Sequence, residues 1–158
     1  TEANDNNEWI APFLMNSVVI SERFAPLIGL NIRTKSRVTA RIDYKKERID
    51  KIIELKKTHQ LLLLSNTNRI HFDSFSAKLE REYGVSFSDL FEKLFLSYEM
   101  GLLKPDTEIY QQVLDDQNLN PRETLLIEDT PENAEGASKL GIQTLVIPRN
   151  GTFMNYIK

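Results

Sequence analysis

Two adjacent carboxylates, Glu128 and Asp129, directly follow the apolar segment 124–127. Like charges repel, and burial next to an apolar segment raises the pKa of a carboxyl group, so this pair does not favour stability. A divalent cation would relieve the repulsion, and Mg²⁺ prefers hard oxygen ligands such as carboxylates, water and phosphate. The alternative is that Glu128 is exposed and Asp129 begins a helix, where the helix dipole favours acidic residues. The pair alone leaves both interpretations open.

Three further polar residues stand where a phosphate could bind. Ser65 and Asn66 follow four consecutive leucines, and hydroxyl and N–H groups at a strand end can receive a phosphoryl oxygen. An ordinary Asx or Ser turn would contain the same residues. Lys104 precedes Pro105, and its ammonium could neutralise a phosphate, although a lone lysine is usually a solvated surface residue.

The elements that must position these residues alternate along the chain. Short apolar segments predict buried strands at residues 60–65, 93–98, 124–127 and 143–147. Helical stripes are predicted at residues 44–58, 72–83, 87–91 and 105–118, with Pro105 at the first helical position of the last. A further helix is predicted to begin at Thr130 and Pro131 and to end before Gly141. This pattern predicts an α/β fold with a three-layer parallel sheet and helices on both faces, and ligands of such sheets bind beyond the carboxyl ends of the strands.

In order along the chain, these segments resemble three motifs of the haloacid-dehalogenase-like (HAD-like) hydrolases. Residues 61–66 resemble the second motif, an apolar run that ends in Ser or Thr followed by Asn. Residues 101–106 resemble the third, a lysine before a proline-started helix, and residues 125–137 resemble the fourth. The resemblance spans residues 41–150 and points to the phosphatase and phosphoglucomutase-like branch. It implies a Rossmann-like core and Mg²⁺-dependent hydrolysis of a small phosphorylated metabolite.

The resemblance also implies a role for each matching residue. In that family an aspartate attacks phosphorus to form an aspartyl-phosphate, which water then hydrolyses. Carried onto this chain, Ser65 would hydrogen-bond the transferring phosphoryl group and Asn66 would shape its loop. Lys104 would hold the phosphate and the attacking carboxylate together. Asp129, with Glu128, would bind Mg²⁺ directly or through water.

The family's first motif, which carries the attacking aspartate, is not found upstream of Ser65. Asn16 is the nearest candidate, but an amide is a poor nucleophile and a poor metal ligand. The spacing from Asn16 to Ser65 leaves little room for the helical cap that the family usually inserts there. Residues 1–43 are therefore predicted to be a cap remnant or an incomplete first strand, and residues 44–158 to be the core. Three interpretations stay open: a phosphatase whose first motif lies outside this chain, a phosphate-binding pseudoenzyme without turnover, and, less favoured, another parallel α/β protein such as a receiver domain or dinucleotide binder.

The missing motif has structural consequences as well. In the family it lies on the central strand, between the strands that end at Ser65 and Glu128. Either residues 10–20 fill that position, or a segment outside this chain does; the second is favoured because Pro12 cannot donate to a ladder. Ser65, Lys104 and Asp129 are predicted to converge at one sheet edge, and the isolated chain is predicted to lack phosphatase activity.

Composition limits the remaining function classes. The chain has 158 residues, 41% of them hydrophobic, a net charge of −3 and no cysteine, which predicts one globular core in a reducing, cytoplasmic environment. Its apolar runs are far shorter than the ~20 residues of a membrane-spanning helix. A membrane is therefore not predicted as a partner. Nor is a nucleic acid, because the net charge is negative and the basic cluster at residues 33–46 indicates a solvated face. The sequence does not indicate an oligomeric state.

Overall fold

The computed structural model of the protein describes residues 17–22, 46–148 and 153–156. Its strands are β1 Ser17–Glu22, β2 His59–Ser65, β3 Lys93–Leu96, β4 Thr124–Glu128 and β5 Gln143–Val146. Its α-helices are α1 Lys46–Leu55, α2 Arg69–Tyr83, α3 Phe87–Leu90, α4 Ser97–Met100, α5 Thr107–Gln117 and α6 Pro131–Ser138. Short 3-10 helices lie at Pro121–Glu123 and Phe153–Asn155. Within these ranges no helix is both long and apolar enough to cross a membrane.

The four leucines of β2 explain why the fold has three layers. All four are at most 1% exposed, and alternate side chains point to opposite faces of a strand. Leu61 and Leu63 join a core made with α1, α2 and α3, whereas Leu62 and Leu64 join a second core made with α5 and α6. Each fully buried leucine stabilises the fold by about 1.5–3 kcal/mol. The predicted three-layer α/β fold is therefore confirmed.

The strand order is β3-β2-β1-β4-β5. β2 pairs with β3, and β4 with β5, in parallel, while β1 pairs antiparallel with both β2 and β4. The four strands predicted from the sequence therefore all run in one direction. They end at the same side of the sheet, the carboxyl edge, where Ser65, Leu96, Glu128 and Val146 lie.

β1 departs from the predicted parallel sheet. Ser17 lies opposite Glu128 and Glu22 opposite His59, so β1 begins at the carboxyl edge and runs away from it. A place between two parallel strands accepts a strand in either direction, because antiparallel ladders satisfy backbone N–H and C=O groups at least as well. An apolar segment taken by itself carries no signal of its direction.

The central position is thus filled by this chain's own residues 17–22, whereas a segment from outside the chain was the favoured expectation. The less favoured alternative was that residues 10–20 form the central strand. Of these, residues 17–20 do lie in it. Pro12 and Asn16 lie outside the described residues. Ser17–Glu22 falls within the 1–43 segment and pairs inside the core sheet, and the predicted division at residue 43 is otherwise untested and stays a prediction.

Two predicted boundaries are wrong for identifiable reasons. The strand predicted at residues 93–98 ends at Leu96, because Ser97 turns into α4 and its Oγ donates to the Thr67 carbonyl oxygen and accepts from the Thr67 N–H. Pro105 is not the first residue of a helix. α5 begins at Thr107 after Asp106, since side-chain hydrogen bonds hold the Lys104 backbone outside the helix. Thr130 and Pro131 begin α6 as predicted, and Gly141 has the predicted positive φ, 84°.

Candidate active site

A buried ion pair stands at the carboxyl edge. Lys104 Nζ donates to Glu128 Oε2 at 3.0 Å, and both side chains are 0% exposed. The same ammonium donates to the Leu64 carbonyl oxygen at 3.3 Å. Lys104 therefore links the loop before α5 to the ends of β2 and β4, the strands on either side of β1.

The Asn66 side chain holds the Lys104 backbone at two points. Asn66 Nδ2 donates to the Lys104 carbonyl oxygen at 2.9 Å, and the Lys104 N–H donates to Asn66 Oδ1 at 3.0 Å. This reciprocal contact uses both polar ends of the amide, so neither aspartate nor leucine could replace it. Asn66 thus shapes the loop that carries Lys104 and presents no side-chain atom as a nucleophile.

Ser65 is the last residue of β2, is 1% exposed, and lies opposite Leu96 in the parallel ladder. The loop after it is fixed by the hydrogen bonds between Thr67 and Ser97, 2.9 and 3.0 Å long. This Ser97 contact was missed at the level of sequence. A serine directly after an apolar strand was the available signal, but it was assigned to the strand.

Glu128 and Asp129 share a crowded negative site. Glu128 Oε1 accepts the N–H groups of Asp129 and Thr130 at 3.0 and 3.1 Å, so both oxygens of this buried carboxylate have partners. Burial, the hydrogen bond with Glu128 and the negative charge of Glu128 raise the pKa of Asp129 to about 6. The Thr130 hydroxyl and the Lys104 ammonium offset part of that rise. The alternative in which Glu128 is exposed is excluded, because its side chain is fully buried.

Lys104 is subject to two opposing influences. Burial lowers the pKa of its ammonium, whereas the charge and hydrogen bond of Glu128 and the charge of Asp129 act in the other direction. One buried ammonium therefore faces one buried carboxyl group, Glu128, and one half-buried carboxyl group, Asp129. A cation bound beside Asp129 would complete the charge balance.

The donor set fits Mg²⁺. Within residues 17–22, 46–148 and 153–156, no group of three or more His, Cys, Asp or Glu residues is arranged to hold a metal. Mg²⁺ does not need such a cage, because one or two carboxylates with water and substrate phosphate commonly bind it. Asp129 is half-buried and is the better candidate for a direct ligand, since both Glu128 oxygens already accept hydrogen bonds. Their roles as metal ligands stay predictions.

The five residues singled out from the sequence, Ser65, Asn66, Lys104, Glu128 and Asp129, all lie at the carboxyl edge. Four are joined by the contacts described above, and Ser65 stands between Leu64 and Asn66 in the same chain segment. Asn16, the weak candidate for the nucleophile position, lies outside the described residues. Three residues that the sequence did not single out as site residues lie near Pro105, the residue after Lys104: Tyr110, Asn133 and Gly136. A glycine inside a helical pattern was the signal that could have identified Gly136.

The three layers and the lysine–carboxylate pair at the strand ends define the class as an α/β protein whose ligand site is expected at the carboxyl edge of the sheet. Residues 32–147 match the haloacid dehalogenase-like hydrolase family, and the chain belongs to that family. Over 104 residues the chain is 34% identical to the D-ribitol-5-phosphate phosphatase of Bacteroides thetaiotaomicron, covering 66% of this chain and 50% of that protein. The chain thus spans about half the length of this curated relative.

Solved structures agree with this assignment. A HAD family enzyme of B. thetaiotaomicron in complex with magnesium and inorganic phosphate superimposes with a TM-score of 0.67 at 32% identity, covering 70% of this chain and 56% of that one. A predicted HAD-like hydrolase of Porphyromonas gingivalis superimposes with a TM-score of 0.66 at 31% identity, covering 70% and 54% of the two chains.

Proposed function

We propose that this chain forms the phosphate- and metal-binding part of a Mg²⁺-dependent phosphatase. The observation that carries the proposal is the fully buried Lys104–Glu128 pair beside Asp129. The family assignment supports the proposal. So do two relatives: one is named a phosphatase, and the other was solved in complex with magnesium and inorganic phosphate. Because one relative is named for D-ribitol-5-phosphate, a small phosphorylated polyol is the substrate class we propose first.

Stability alone does not account for the buried pair. Moving a lysine and a glutamate out of water costs several kcal/mol per ion, and apolar side chains of similar volume often stabilise a core as well or better. An ammonium fixed where water is excluded does have a chemical use, because its charge acts strongly on a phosphate bound at the same edge. The pair therefore favours a role in binding or catalysis.

The proposed roles are those of positioning and charge neutralisation, the main requirements of phosphoryl transfer. Lys104 offsets the negative charge of the phosphoryl group, and Ser65 hydrogen-bonds one of its oxygens. Asn66 holds the loop of Lys104 in place. Asp129, supported by Glu128, would hold Mg²⁺, which neutralises phosphoryl oxygens when bound. In the net reaction the P–O bond to the alcohol breaks and a P–O bond to water oxygen forms.

The attacking carboxylate is not among the residues proposed here. Asn66 is engaged through both polar atoms, and Glu128 is engaged through both oxygens. We propose that a segment outside this 158-residue chain supplies it. The 158-residue chain alone should then bind phosphate without turning over an ester.

Binding of inorganic phosphate in the presence of Mg²⁺, measured by calorimetry on the 158-residue chain, tests the proposal. We expect Lys104→Met to weaken binding by at least about tenfold, since it removes the buried cation. Lys93→Met is the matched control: it removes a lysine of the exposed pair with Asp116 and should bind as the parent does. A folded Lys104→Met variant with the parent's affinity would contradict the proposal.

Measuring turnover distinguishes a phosphatase from a phosphate-binding pseudoenzyme. Release of phosphate from an aryl phosphate should be absent for the isolated chain and present for the protein as encoded by its gene. Strong Mg²⁺-dependent activity of the isolated chain, abolished by Asp129→Ala, would contradict the proposed external nucleophile. Phosphate binding without turnover by the gene's whole product would instead identify a pseudoenzyme.

A further inference from the structure

We propose that Gly136 and Tyr110 are positioning residues for Lys104. They lie behind the site, in α6 and α5, and they set the place of the loop that carries the ammonium. The structural part of this inference stands on contacts alone, and its importance for catalysis rests on the function proposed above.

Gly136 permits a close backbone approach. A Cβ atom at this position would overlap the Pro105 carbonyl oxygen, and it would lie 3.1 Å from the Pro105 carbonyl carbon and 3.1 Å from Tyr110 Cε2. The obstructing atoms include backbone, which cannot rotate aside as a flexible side chain can. Glycine is less favourable than alanine within a helix, so the contact with Pro105 accounts for its presence here. Pro105 directly follows Lys104.

Tyr110 joins the two helices. Its ring is 1% exposed, and its hydroxyl donates to the Asn133 carbonyl oxygen at 2.7 Å. Burial, with the negative charges of Glu128 and Asp106, raises the pKa of this hydroxyl far above its ordinary value. The hydroxyl therefore remains a donor, and it ties α5 to α6 close to the point where Gly136 meets Pro105.

The arrangement connects the two partners of the buried ion pair. Lys104 stands in the loop that leads into α5, and two residues separate Glu128 from the start of α6 at Pro131. The spacing between these helices thus sets the 3.0 Å separation between Lys104 Nζ and Glu128 Oε2. A methyl group on residue 136 must push the Pro105 carbonyl away and move Lys104 with it.

Chemical protection of Lys104 measures this positioning directly. The 158-residue chain is treated with an amine-acylating reagent, and the rate at each lysine is read by mass spectrometry. Lys104 should react slowly in the parent, because its side chain is 0% exposed and paired. We expect Gly136→Ala to speed its acylation by about an order of magnitude through easier local opening, with Lys93 unchanged. Tyr110→Phe keeps the ring, loses the hydrogen bond, and should give a smaller increase.

Gly84→Ala is the control for general destabilisation. Gly84 ends α2 with φ at +68° and has no atom within 4 Å of an added Cβ, so alanine there is strained without touching the site. It should lower the unfolding midpoint and leave Lys104 protected. Equal deprotection in Gly84→Ala, or full protection in Gly136→Ala, would overturn the inference. Should Gly136→Ala fail to fold, Tyr110→Phe decides: a Lys104 rate equal to the parent's overturns it.

Phosphate affinity of the same variants keeps the two proposals apart. Deprotection of Lys104 together with weaker phosphate binding supports both. Deprotection with unchanged phosphate binding supports the positioning role and overturns the function proposed for Lys104. Weaker phosphate binding with Lys104 still protected overturns the positioning role, because the lysine has then not moved.

Discussion

Two lysine–carboxylate pairs lie at opposite ends of the strands, and they differ in surroundings more than in geometry. Lys93 and Asp116 are 2.7 Å apart, with side chains 44% and 34% exposed. Lys104 and Glu128 are 3.0 Å apart and fully buried. The shorter contact is the less consequential one, because water and salt screen an exposed pair and its net worth is typically ~0.2–1 kcal/mol. Burial, rather than contact distance, marks the pair that a function must explain.

The largest difference should appear when each lysine is removed. Lys104→Met leaves Glu128 buried without its cation, so we expect a loss of about 3–5 kcal/mol in the free energy of unfolding. Lys93→Met should cost far less, since the Asp116 carboxylate stays in contact with water. Urea unfolding of both variants measures the contrast. Equal losses would show that burial does not separate the two pairs.

Removing both charges of the buried pair should restore much of the loss. Lys104→Met with Glu128→Gln has no buried charge, and the glutamine oxygen can still accept from the Asp129 and Thr130 N–H groups. We expect the double variant to recover roughly half or more of the stability that Lys104→Met alone loses. The same urea series tests this. A double variant less stable than the single one would mean that the Glu128 carboxylate stabilises the fold through contacts other than Lys104.

Replacing the carboxylate at each end of the strands should change the pH dependence of stability in opposite directions. The larger effect is expected at Asp129. The pKa of Asp129 is raised from 3.8 to about 6 in the folded chain, so stability present below pH 3.8 is lost as the pH rises through 6. In EDTA, Asp129→Asn should therefore be more stable than the parent above pH 6, by on the order of 1 kcal/mol after allowance for solvent screening, and equal to it below pH 3.8. Thermal unfolding across this range is the measurement, and a stability gain that persists in acid would exclude the stated cause.

Asp116 should give the smallest effect, with the reverse sign. Hydrogen bonds from Lys93 and Gln117 hold the pKa of Asp116 below its ordinary 3.8, so its contribution is present above that value and lost as the pH falls. Asp116→Asn should be slightly less stable than the parent at neutral pH, and the difference should shrink in acid. It should also shrink at about 1 M salt, where the screening length is about 3 Å. A difference that salt does not change would point to a contribution other than charge.

Short sequence patterns correctly predicted the elements that depend mainly on neighbouring residues. Four consecutive leucines require burial on both faces, and β2 is buried on both. Thr130 and Pro131 begin a helix, and Gly141 adopts the left-handed backbone. The direction of β1 could not be predicted, because it depends on the two strands that flank it rather than on its own residues. The end of β3 before Ser97 could not be predicted either, because Ser97 accepts a hydrogen bond from Thr67, 30 residues away in sequence.

The site followed from topology more than from any single residue. Strands that run in one direction place Ser65, Lys104 and Asp129 at one edge, and that much could be predicted from their order along the chain. The burial of Glu128 could not, since it depends on Lys104 arriving from a loop 24 residues earlier. Nor could the contact of Gly136 with Pro105, which requires knowing how closely α5 and α6 approach.

The place of β1 has a consequence for how the sheet holds together. In the part of the chain that the structure describes, the ladder of β2 and β3 and the ladder of β4 and β5 share no backbone hydrogen bond except through β1. Each outer ladder joins strands close in sequence, whereas β1 reaches β4 across about a hundred residues. Contacts so distant in sequence form late during folding, because their loop-closure entropy must be overcome first. Pairing of these six central residues is therefore expected to complete the sheet late in folding, after each outer ladder has formed.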